Sequence, residues 1–157
     1  MSPEDLDRLE RRIQNLEDIE AIKALKARYC AYCDDSYDAE GIAGLFTEDA
    51  VWDGGIRGRA DGRRAIRDFF VQASQRLPFA IHMVMNPIIQ VDGDQATGMW
   101  YLFQACTYAE GNRAVWGSGR YDEEYVRVDG EWKFQHLKLT SHFWTPFDEG
   151  WARTPFA

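Results

Sequence analysis

The stretch FAIHMVMNPIIQVDGDQATGMWYLFQACTY, residues 79–108, decides the architecture of this chain. It reads as two long strands, Phe79 to Val91 and Gln95 to Tyr108, on either side of Asp92-Gly93-Asp94. Asp-Gly is favoured in tight hairpin turns because such turns place their central residues at positive φ. Working outward, the pattern repeats. Ala114 to Val128 and Glu131 to Phe143 are two further strands joined at Asp129-Gly130, and Gly111-Asn112 marks the turn before them.

The half before Pro78 has a different period. Leu6, Leu9, Ile13, Leu16, Ile19, Ile22, Leu25 and Tyr29 recur at three- and four-residue steps. That spacing predicts one apolar stripe on a long helix, or two helices joined near Asn15. Residues 1–17 are so charged that they are expected on a rim or against another subunit. Asp38 to Phe46 reads as a short helix, broken by Thr47-Glu48-Asp49 and followed by a short strand at Ala50-Val51-Trp52-Asp53. Gly58 to Gly62 reads as a polar loop, with Asp61 as the N-cap of a helix reaching about Gln75. Helices first and an antiparallel sheet after them predict an α+β fold, helices laid on one sheet face and a pocket between the layers. The tail 145–157, with Trp151, Pro155 and Phe156, is too aromatic for a free end. It is expected to cover a pocket mouth or to dock on another subunit.

The 157 residues predict one domain. A net charge of −8 argues against a nucleic-acid or anionic-membrane partner, since both require a basic patch. No apolar run is long enough to span a bilayer, and the start of the chain does not read as a signal peptide, so the expectation is a cytoplasmic protein. Cys30, Cys33 and Cys106 are an odd set. Cys30 and Cys33 form a C-x-x-C within a helical pattern, without the second pair that zinc would want, so no metal and no cofactor is expected.

Three residues carry the chemistry. His82 lies in the very apolar run Phe79-Ala-Ile-His-Met-Val-Met85, which predicts a strand covered on both faces. Alternation puts Ala80, His82, Val84 and Asn86 on one side. A buried imidazole needs a partner, either a backbone carbonyl in a purely structural role or a carboxylate in a chemical one. Asp34 ends the first helix, against the dipole, where simple solubilisation is poorly sited. Turned inward onto His82, it would fix the tautomer and raise the basicity of the other ring nitrogen. Tyr29 continues the apolar stripe, but it stands about 140° around an ideal helix from Asp34, so one cavity must wrap the helix to touch both. Trp52, Phe69, Trp100, Gln104, Trp116 and His136 are candidates for lining the pocket, with core packing the alternative for each. His136 and His142 are placed on one face of the last strand with Phe134, Lys138 and Thr140.

The order of elements, Leu45-Phe46-Thr-Glu-Asp49, Gly119-Arg-Tyr121 and Gly130-Glu-Trp132-Lys-Phe134 resemble the SnoaL-like branch of the nuclear transport factor 2-like superfamily. Within it, Asp18 to Lys26, Tyr29, Asp34, His82-Met83 and Ala96 to Leu102 are similar to the bile acid 7α-dehydratases. The resemblance implies a conical, cystatin-like α+β barrel of helices on a strongly curved sheet, a homodimer or homotrimer, and no metal. It also implies a Tyr–Asp–His set at Tyr29, Asp34 and His82. The related hexachlorocyclohexane dehydrochlorinases carry an Asp–His pair corresponding to Asp34 and His82. Two departures stand out: Gln104 occupies the place of a further aspartate, and Ser141 lies near the place of an arginine.

The expected function is therefore a cofactor-independent lyase of the dehydratase type, acting on an apolar polycyclic or steroid-like substrate. An Asp34–His82 base and a Tyr29 acid would do the work. Isomerisation or cyclisation by the same proton abstraction, dehydrohalogenation, and a non-catalytic binding module are the alternatives.

Overall fold

The computed structural model describes residues 2–156. One continuous helix, α1 (Pro3–Asp34), opens the chain, with a capping box between Ser2 and Asp5 at its start. No break occurs at Asn15. Its buried positions, Asp18, Ile22, Leu25, Lys26, Tyr29, Cys30 and Cys33, follow the three-to-four step of a single face. Leu6, Leu9, Ile13 and Leu16 remain exposed, so the stripe continues past the part of the helix that packs.

α2 (Ala39–Gly44) is shorter than expected, with the Asp38 side chain accepting from the Gly41 amide. Phe46 belongs instead to β1 (Phe46–Asp53), whose Thr47-Glu48-Asp49 segment continues the strand rather than breaking it. After a single 3₁₀ turn (Gly55–Arg57) comes a short edge strand, β2 (Arg59–Asp61), in what the sequence presents as loop. Asp61 is paired with the Arg59 guanidinium, and Gly62 takes the cap position of α3 (Arg63–Arg76) without a side-chain bond.

β3 (Phe79–Asp92), β4 (Gln95–Tyr108), β5 (Arg113–Val128) and β6 (Glu131–Pro146) run antiparallel, joined at the two Asp-Gly turns and a 3₁₀ turn at Glu110–Asn112. The six-stranded sheet has the order β2-β1-β6-β5-β4-β3, and only β1 against β6 is parallel. Register shifts at Met85/Ile88, Ser118/Gly119 and Glu124/Tyr125 bend the sheet, because an extra residue on one strand sharpens its local twist. The helices lie on the concave face. On the convex face Ile81, Met83, Met85 and Ile88 stay exposed, so β3 is covered on one side, not two.

The tail folds back along β6: Phe156 bridges to Trp144, the Trp144 amide donates to Pro155, and Trp151 stacks on Phe143 at 4.9 Å. Among the described residues, no helix is long and apolar enough to cross a membrane.

α1 is pinned to the sheet by a charge. Lys26, with no exposed surface, donates to the Glu123 carboxylate of β5 and sits 3.3 Å over the Tyr121 ring centroid. Tyr125 donates to the other oxygen of Glu123 and accepts from Trp100 Nε1 at 3.0 Å, so the buried carboxylate is held on both sides. Removing one partner of such a pair strands the other charge in the core, at about 3–5 kcal/mol. Glu123→Gln is expected to lower unfolding stability by about that amount in urea titrations. Lys26→Met combined with Glu123→Leu is expected to recover most of the loss.

Candidate active site

α1 ends at Asp34, and the next turn carries the chain through two successive residues at positive φ, Ser36 (53°) and Tyr37 (54°). This turn presents the Asp34 carboxylate to the edge strand β3. Asp34 Oδ1 accepts from the His82 backbone amide at 2.9 Å and lies 2.7 Å from His82 Nδ1. One carboxylate oxygen therefore fixes both the strand and the ring. A neutral imidazole so held carries its proton on Nδ1 and keeps the Nε2 lone pair free. His82 lines a cavity, and among the described residues its Nε2 has neither a protein partner nor a sealed environment.

The cavity has a volume of about 260 Å³ and lies between α3, α1 and the concave sheet. Its wall is aromatic. Trp52 tilts against Phe69 at 4.4 Å between centroids, and Phe69 meets Phe70 edge-on at 5.3 Å. Trp52 Nε1 donates to the Tyr29 hydroxyl at 3.0 Å, and both side chains line the cavity. Burial pushes the Tyr29 phenol well above its ordinary value, so it stays protonated. Tyr37 packs edge-on against His82 at 6.0 Å, and burial likewise raises its phenol, with Gln104 opposing. Opposite stands Arg57. It donates to Ser141 Oγ at 2.8 Å and stacks on Trp144 at 3.7 Å from the ring centroid. All three cysteines are free and buried, and burial raises Cys30 and Cys106 to about 11, which removes them as nucleophiles at neutral pH.

Residues 14–138 match the SnoaL-like domain model. The chain belongs to the SnoaL-like domain family. Among solved structures, the SnoaL-like chain is similar to a candidate aromatic ring hydroxylase from Novosphingobium aromaticivorans: 28% identity, TM-score 0.78, covering 83% of this chain and 94% of that one. A candidate scytalone dehydratase from the same organism shares 25% identity at TM-score 0.78, over 85% and 89% of the two chains. A hexachlorocyclohexane dehydrochlorinase from Novosphingobium barchaimii shares 27% at TM-score 0.74, over 91% and 94%. An uncharacterised protein of Mycobacterium tuberculosis is 32% identical over 91 residues, which are 57% of this chain. The match spans 62% of that relative's length.

Of the sequence-predicted residues, this SnoaL-like domain gathers Tyr29, Trp52, Phe69, His82 and Gln104 around the cavity. Asp34 meets His82 from behind and does not line the cavity. That resolves the 140° separation, since Tyr29 and Asp34 never share a wall. Three candidates lie elsewhere. Trp100 faces inward but sits four residues along β4 from Gln104, bonded to Tyr125, so about 13 Å of strand separates them. Trp116 points out of the sheet and packs between Phe103 and Phe147. His136 is turned away by a bulge: Tyr125 pairs with Phe134 while Glu124 pairs with His136, so Gln135 is the extra residue. The phase shifts there, placing Phe134 inward with Leu137 and His136 outward with Lys138. Among the described residues, none after Trp144 lines the cavity.

Tyr37 and Arg57 went unread in the sequence. Arg57 had a faint signal, a lone arginine bracketed by Gly54-Gly55 and Gly58. Gly55 (φ 60°) and Gly58 (φ 121°) give the backbone the conformation that swings it inward. Tyr37 had none, because two consecutive left-handed non-glycine residues follow from packing rather than from residue type.

Burial lowers the His82 pKa below its ordinary 6.5, and the Asp34 carboxylate opposes that shift. A proton therefore binds the unfolded chain more readily than the folded one. His82's contribution leaves stability unaffected above 6.5 and lowers it as pH falls from there toward the folded value. An NMR titration of His82 is expected to have its midpoint below 6.5, and Asp34→Asn is expected to move it lower still.

Proposed function

We propose that this SnoaL-like domain is a lyase that eliminates water or a hydrogen halide from a small ring compound, using its own side chains as acid and base. One observation carries the reading: Asp34 Oδ1 held 2.7 Å from His82 Nδ1, with Nε2 left free at the cavity wall. An imidazole oriented and made more basic in this way, yet neutral through burial, is a competent base near neutral pH. The structural likeness to a dehydrochlorinase and to a candidate scytalone dehydratase supports the same class of reaction.

In the proposed step, His82 Nε2 takes a proton from a carbon beside the leaving group. The C–H electron pair becomes the new C=C bond. The leaving group departs with the C–X bonding pair, and where it is hydroxide the Tyr29 O–H supplies the proton that makes it water. Exchange with solvent then returns the proton from His82 to Tyr29. Proton transfer by a positioned group typically contributes 10² to 10⁴-fold. The rest must come from a dry, aromatic-walled site in which fixed dipoles act strongly. The volume of about 260 Å³ lies near the lower edge of the roughly 300–1,000 Å³ usual for small-molecule sites. It favours substrates of one or two rings over a four-ring steroid.

Purified protein with a panel of hydroxylated or halogenated one- and two-ring ketones is expected to release water or halide, seen as the matching loss in product mass. His82→Ala and Asp34→Asn are each expected to lower kcat by about 10² to 10⁴-fold. Full turnover in either variant would remove the Asp–His base from the reaction. A product of unchanged mass would make the enzyme an isomerase.

A further inference from the structure

The chain carries a net charge of −8, yet the cavity wall contains no Asp or Glu and two arginines, Arg57 and Arg76. Among the described residues, neither guanidinium lies within ion-pair distance of a carboxylate. Arg76 is exposed at the rim, where its charge can steer a ligand but costs little. Arg57 is half-buried and inside. A guanidinium stays charged at any ordinary pH, and taking it out of water without a counter-ion is expensive.

Arg57 is also held rigidly. Ser141 Oγ accepts from Nη1 at 2.8 Å, and the guanidinium plane lies on the Trp144 indole. Trp144 is itself fixed, because its Nε1 donates to the Tyr108 hydroxyl at 2.9 Å and its ring fills the space that a Cβ at Gly117 would take. Of the five N–H donors a guanidinium presents, one is bonded among the described residues. The free donors and the desolvated charge describe half of an ion pair. The wall of Trp52, Phe69 and Phe70 beside it suits a flat ring.

We propose that Arg57 is the anion-binding residue of this cavity and that the substrate is a one- or two-ring compound bearing a carboxylate. This deepens the lyase reading by naming the class of substrate. The carboxylate is the anion whose two oxygens match the guanidinium fork, and Arg57 would anchor it while the ring lies along the aromatic wall toward His82.

Calorimetric titration with 2-naphthoate and its neutral isostere 2-naphthamide tests the proposal without turnover. Wild-type protein is expected to bind the carboxylate about 10- to 100-fold more tightly than the amide, the preference that a charge-assisted hydrogen-bond pair confers. Arg57→Gln is expected to bring that ratio close to one, while Arg57→Lys keeps part of it. His82→Ala is expected to keep all of it, so a failed elimination assay leaves the anion subsite standing, and the converse holds. In the wild-type protein, the Arg57 Nε–H resonance should shift on adding naphthoate and not on adding the amide, a readout that does not depend on any variant folding. An equal affinity of wild type for the two ligands overturns the proposal, as does a preference that survives in Arg57→Gln or an Arg57 resonance indifferent to naphthoate.

Discussion

The buried pair between Lys26 and Glu123 sets the register on which the rest of the molecule depends. It is the point where α1 commits a charge to the concave face of β5. A charged donor and acceptor without exposed surface tolerate no sliding, because a shift of even one residue would leave both unpaired in an apolar surround. Asp34 lies eight residues further along the same rigid rod, about 12 Å at the rise of an α-helix. The anchor therefore determines where the helix end meets β3. At that end Asp34 Oδ1 engages both the amide and the ring of His82, so the edge strand and the imidazole are aligned by one atom.

Functions are divided between the two sides of His82. Behind it, the half-exposed Asp34 carboxylate orients the ring and holds one tautomer. In front, the cavity combines an aromatic wall of Trp52, Phe69 and Phe70 with phenols and the Arg57 guanidinium. That combination suits a ligand with one flat hydrophobic face and one polar edge. Interactions along the polar edge gain strength because the aromatic wall excludes water and lowers the local dielectric. Arg57 also bears on His82 directly, since its positive charge favours the neutral imidazole that can act as a base.

The sheet was largely legible. Long runs of alternation punctuated by Asp-Gly place β3 to β6 to within a few residues, since a hairpin is a local structure whose turn chemistry sits in adjacent residues. The features missed are those where neighbours overruled local pattern. β2 is three residues long and exists through pairing with β1. Asp61 had the chemistry of a helix cap but was taken by Arg59. Trp116 and His136 are pocket-like residue types on the wrong face, one by plain alternation and one because a bulge at Gln135 changed the phase. Arg57 drew no reading from the sequence, because it takes two glycines at positive φ to turn it inward.

By itself, the sequence determined the class of fold, the helix that carries Tyr29 and Asp34, and the strand that carries His82, because each depends on periodicity and turn residues within a short window. Only the tertiary structure decided which of these groups touch. The contact between Asp34 and His82 spans 48 positions along the chain. Its length is set by the curvature of the sheet and by a buried charge pair on another strand. The tertiary structure also decided that Tyr29 faces the cavity while Asp34 stands behind it, and that a guanidinium with no counter-ion among the described residues completes the wall. No local rule encodes these placements, since each is a property of surfaces brought together from distant segments.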